Sequence, residues 1–187
     1  MSEAFATGEP FSGEEISAAM VRLHAVSERY LAAVPAEEFV QAQGEKWSPA
    51  DHVRHLTKST RPLVPALGLP KLLLGLRFGR ASRESRRFSV LRGDYRRLLL
   101  LPGAGAGRFA PSARPLPADL DVWQREVLSS WRCAVSGLAL KIPGWTESAL
   151  DRYLLPHPLL GKLTVREMLF FTIYHNAHHL DQVAARR

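Results

Sequence analysis

The chain has 187 residues, 46% hydrophobic and 23% charged, which suits one folded domain over residues 1–187 and excludes a largely disordered, collagenous or low-complexity polymer. Its single cysteine, Cys133, excludes an intramolecular disulfide and any cysteine-based zinc cluster, leaving histidines and carboxylates as the available metal ligands. The formal charge of +7 is concentrated: residues 71–100 hold nine basic and two acidic side chains, and the remainder of the chain is balanced.

The opening stretch MSEAFATGEPFSGEE is acidic and lacks the basic and apolar regions of a secretory signal. The apolar runs at 72–74 and 98–101 fall far short of the roughly 20 residues needed to span a bilayer. A cytoplasmic location and no membrane partner are the expectation.

Ser12 and Glu15 have capping-box spacing, and Ile16, Ala19, Met20, Leu23, Val26 and Tyr30 follow at helical intervals, predicting a first helix from about 13 to 34. A second helix starts at Ser48, a good N-cap, with Pro49 at the first helical position and Asp51 complementing the dipole. It reaches at least Ser59. Residues 62–117 are rich in proline, glycine and arginine and are expected to be an irregular basic insertion. Short helices are plausible near 69–74 and 90–101, and GAGAG at 103–107 reads as a mobile loop. Leu120, Trp123, Val127, Trp131, Ala134 and Leu138 then form one helical stripe that should end before Pro143. Thr164 and Glu167 form another capping box, opening a fourth helix that runs nearly to the C-terminus with Val165, Met168, Leu169, Thr172 and Val183 on one face. No segment alternates strongly enough to predict a strand, so an all-α four-helix bundle is the simplest way to bury these stripes.

Three of the seven histidines fall in HNAHH on the fourth helix. At about 100° per residue, His175 and His179 lie about 40° apart and one turn along the same face, so their imidazoles can converge. Two such rings can offer nitrogens at about 2.0 to 2.1 Å from one divalent ion, as in the HExxH helix. Position 176 is Asn where that motif carries its general-base Glu, which argues against a peptidase of that type. A third ligand must come from another element. His52 and His55 on the second helix are the candidates, and wheel arithmetic places His52 nearer Val53, Leu56 and Leu63.

WSPADHVRHL at 47–56 together with HPLLGKLTVREMLFFTIYHNAHHLDQV at 157–183 resembles the DinB-like (DinB/YfiT) superfamily of metal-dependent proteins. The resemblance implies an up-down-down-up four-helix bundle. It also implies a metal held by the His-Leu histidine, here His55, and by the two histidines of His-x-x-x-His, here His175 and His179. Gln182 matches the family's glutamine and would orient a ligand, or is a polar residue at the helix end; His52 becomes a candidate for the same supporting role, for the pocket wall or for solvated surface. The basic middle has no assigned counterpart in the family. His178 is expected at the surface or a subunit contact, His157 as a structural loop residue, and Trp47, Trp123, Trp131 and Trp145 as core or rim aromatics.

Three neutral imidazoles would leave a dipositive ion uncompensated and one coordination position open, the layout of a reactive site. Such an ion lowers the pKa of a bound water to about 7 or binds a thiolate. Zinc suits the ligand set, and nickel, iron, manganese or cobalt would accept it. The resemblance thus implies a metal-dependent transferase or hydrolase acting on a small molecule, with a low-molecular-weight thiol as a possible co-substrate, a role in stress response, and a homodimer. The alternative is a non-enzymatic, stress- or damage-induced binding protein with a structural metal. A contiguous basic face over 77–97 could attract a nucleic acid, although no nucleic-acid motif accompanies it.

Overall fold

The computed structural model describes residues 5–44, 46–103, 105–113 and 115–186. Among these residues the order is α1 (Gly13–Ala32), α2 (Ala36–Val40), α3 (Pro49–Thr60), α4 (Leu63–Gly68), α5 (Lys71–Phe78), α6 (Phe88–Leu99), α7 (Leu120–Ala139), α8 (Glu147–Arg152), β1 (Leu154–His157), β2 (Gly161–Thr164) and α9 (Val165–Ala184). Tight 3-10 turns occur at Gly107–Phe109 and Ile142–Gly144. No described helix is long and apolar enough to cross a membrane.

The helix starts follow local chemistry. Ser12 Oγ accepts from the Glu15 backbone N–H at 3.1 Å while the Glu15 carboxylate accepts from the Ser12 N–H at 2.9 Å, so two orphan donors of the first turn are satisfied reciprocally. Ser48 Oγ accepts from the Asp51 N–H at 3.1 Å and Pro49 opens α3. Helix α1 packs on α7 and α9, and α3 packs on the same two helices. Ile16, Leu56, Trp131, Leu138 and Leu169 are fully buried where these four helices meet.

Three features differ from the sequence expectations. First, there is a strand pair: β1 and β2 run antiparallel from Leu154 opposite Thr164 to His157 opposite Gly161. Each strand is four residues long and β1 contains Pro156, too little sequence for a period of two to show. His157 is thus the last residue of β1 rather than part of an irregular loop. Second, the basic insertion is more helical than expected: α5 and α6 lie where short helices were expected near 69–74 and 90–101, and α4 is additional. The GAGAG stretch ends in the 3-10 turn at Gly107–Phe109; Ala104 lies outside the described residues.

Third, α9 is buried on every side from Val165 to Ala177 rather than along one stripe. The covering elements are α6, α8 and the hairpin, which pack on α9 in addition to α1 and α3. This explains why charged residues sit inside. Arg166 is 1% exposed and held by the carboxylates of Asp151, at 2.6 and 2.9 Å, and Glu147, at 2.8 Å. Glu167 is fully buried; its carboxylate accepts from Arg83 at 2.6 and 2.7 Å and from Arg86 Nε and backbone N–H, both at 2.9 Å. Arg86 also reaches Asp94, Arg97 pairs with Asp94, and Arg92 with Glu9. The basic segment is therefore partly spent on internal pairs and does not form one free cationic face.

Candidate metal centre

Two helix starts set the geometry of the site. The Ser48 cap begins α3 so that His52 and His55 fall on its buried side one turn apart, and the Thr164 capping box begins α9 so that His175 and His179 do the same. Packing of α3 on α9 brings the two pairs together. His55 Nε2 lies 3.0 Å from His175 Nε2, and His175 Nε2 lies 3.1 Å from His179 Nε2. His52 stands just outside this trio, its Nδ1 2.8 Å from His179 Nδ1.

The partners of the remaining ring nitrogens assign the tautomers of His55 and His175 and allow the matching one for His179. His55 Nδ1 is 3.0 Å from the Phe109 carbonyl, which only accepts, so Nδ1 carries the proton and Nε2 a lone pair. His175 Nδ1 faces Ser59 Oγ at 3.5 Å; that hydroxyl already donates to the Leu56 carbonyl and is left to accept. His179 can donate through Nδ1 to His52, which leaves its Nε2 bare as well. Burial is the largest influence on all four rings. It lowers the pKa of His52 to about 4, lowers that of His55, and holds His175 and His179 well below the usual imidazole range. The rings are neutral near pH 7, the form in which imidazole binds metal.

Converging lone pairs on neutral rings repel one another unless something electron-poor lies between them. A tetrahedral ion with bonds of about 2.0 to 2.1 Å spaces its ligand atoms about 3.3 Å apart, close to the separations found here. One ligand atom from each of His55, His175 and His179 falls within 4.8 Å of the others, a group able to hold a metal ion. Donor type, protonation and spacing all fit a divalent cation.

The trio lies in the wall of a cavity of about 760 Å³. Trp47 stacks on His179 with ring centroids 6.0 Å apart, and Phe171 stacks on His175 at 4.8 Å, so each of these imidazoles has an aromatic face against it. The family model of the DinB superfamily matches residues 19–183, a span containing α3, α9 and all the residues of the trio. The chain belongs to the DinB superfamily. No curated protein and no solved structure matches it.

In this DinB-superfamily protein the other residues named from sequence take varied places. His52 buttresses His179. Gln182 is exposed and its Nε2 lies 3.2 Å from His178 Nε2, away from the converging rings. His178 is half-buried, stacks on Tyr174 and reaches the cavity wall, so it is not a purely surface residue. Asn176 points away from the cavity and accepts from Trp131 Nε1 at 2.9 Å.

Several contributors were not visible in the sequence. Ser59 and the Phe109 carbonyl set ligand tautomers, and Tyr95 and Phe171 wall the site. Ser59 lies one turn beyond His55 on the α3 face already singled out, a findable signal. Nothing local marks a backbone carbonyl that arrives from 54 residues away.

Proposed function

We propose that His55, His175 and His179 bind one divalent cation, zinc best suiting three imidazoles, and that the protein is a metal-dependent transferase or hydrolase acting on a small molecule. The observation that carries this reading is the convergence of a ring nitrogen from each of the three histidines in the cavity wall, with the Nδ1 contacts of His55 and His175 leaving their Nε2 lone pairs free to bind. A structural site would close its coordination shell with a fourth side chain; among the described residues the trio stands alone and faces open space large enough for a substrate. A bound cation supplies Lewis acidity there, lowering the pKa of a water or thiol presented to it.

The chain's own residues do the rest. His52 and Ser59 fix the ring orientations, Trp47 and Phe171 exclude water from the imidazole faces, and the cavity admits the reactant. The architecture we propose is an up-down-down-up bundle of α1, α3, α7 and α9. Its support is the mutual packing of these helices and the long α3-to-α7 connection, which such an order requires.

The test is elemental analysis of untagged protein, followed by a screen of the metal-loaded form against electrophiles and hydrolysable esters with and without added thiol. About one equivalent of metal and thiol-stimulated turnover are expected. Metal without turnover would point to the non-enzymatic binding role, and folded protein that takes up no metal would overturn the reading.

A further inference from the structure

We infer that the cavity takes an anion with an apolar body, of the class of a medium-chain carboxylate. This rests on the reading of the cavity as the reactive site. Phe78, Leu99, Leu155, Leu159, Met168 and Phe171 line it and offer a ligand an apolar surface. The charged side chains of the wall are Lys46, Arg108 and Arg186, and no Asp or Glu is found among the described lining residues. A cavity with one sign of charge and low-dielectric walls concentrates the opposite sign.

Two polar groups sharpen the inference. Arg186 Nη1 is buried and has no hydrogen-bond partner among the described residues, a costly condition, and its side chain borders both this cavity and a smaller one beside Glu38. His157 Nδ1 accepts from the backbone N–H groups of Leu159, at 3.2 Å, and Leu160, at 3.0 Å. Its proton must therefore sit on Nε2, making the ring a fixed donor on the cavity wall and unable to accept there. With the metal-binding trio itself an electron-poor centre when loaded, the charged side chains, the locked His157 ring and the centre all call for an electron-rich ligand. A neutral apolar ligand would leave the cationic side chains of the wall and the His157 N–H unanswered, and a cation would be repelled.

The experiment compares decanoate, decanol and decylammonium, which share an apolar body and differ in charge, by calorimetric titration of the full-length protein. Decanoate should bind at least about ten-fold more tightly than decanol, with decylammonium weakest. Arg186→Gln, two residues past the end of α9, should lose about ten-fold for decanoate and leave decanol unchanged, and Arg186→Lys should recover part of the loss. Equal binding of decanoate and decanol, or tighter binding of the amine, overturns the inference, as does full anion preference in the Gln variant. Elemental analysis of the same samples separates the two readings. Metal-loaded protein indifferent to ligand charge sinks this one alone, whereas anion preference in protein that never takes up metal sinks the metal site alone.

Discussion

His52 and His179 meet through their Nδ1 atoms at 2.8 Å, so one imidazole holds the orientation of another whose far nitrogen faces the candidate metal position. Supporting contacts of this kind are worth about 10- to 100-fold in metal affinity. His52→Phe should weaken metal binding by that factor without abolishing it, whereas His55→Ala should abolish it. Competition against a chromophoric chelator measures both. Unchanged affinity in His52→Phe would mean that packing alone orients His179.

Metal should stabilise the folded chain only through the trio. At a free concentration about 100 times Kd, a ligand that binds only the native state adds about 2.7 kcal/mol, or several degrees of Tm in a chain of this size. Zinc should produce that shift in the wild type and none in His175→Ala. A full equivalent of metal in the variant would reject the site.

Gln182 touches His178 and not the trio, so Gln182→Ala should leave metal affinity within about two-fold of wild type. A ten-fold loss would show that the glutamine reaches a ligand in the loaded protein.

Glu167 governs acid stability. Burial alone would push its pKa up, but the hydrogen bonds from the Arg83 and Arg86 side chains and from the backbone N–H groups of Arg86 and Thr164 overcome it and hold the carboxyl at about 2. Because the folded pKa lies below the unfolded value near 4.5, the stabilisation is fully present above about pH 4.5 and is lost as the pH falls toward 2. The shift corresponds to roughly 3 kcal/mol at most. Glu167→Gln should lower stability near pH 7 and flatten its decline between pH 4.5 and 2, read from urea midpoints across that range. An acid limb as steep as in the wild type would contradict this role.

Asn176 spans the core, accepting from the buried Trp131 indole and donating to the Thr172 carbonyl at 2.8 Å. Asn176→Leu keeps the branching of the side chain and strands the indole N–H, at a cost of about 1 to 3 kcal/mol by chemical denaturation, with metal affinity unchanged. The contact also accounts for the absence of a glutamate at this position: it faces α7, not the cavity.

The sequence alone was enough to mark the helices that carry histidines, because capping boxes, a proline at the first turn and apolar periodicity are local and were all realised at Ser12, Ser48 and Thr164. The spacing of His175 and His179 is local as well. The choice between His52 and His55 was not: the wheel favoured His52, which lies deep in the α3–α9 contact, whereas it is His55 Nε2 that reaches His175. Tertiary structure decided that the basic segment grips a buried carboxylate, that a short hairpin and α6 cover α9 as well, and that a distant carbonyl sets a histidine's tautomer. Each of these depends on pairs brought together over long stretches of chain. Periodicity reports which face of an element is apolar, but not what is packed against that face.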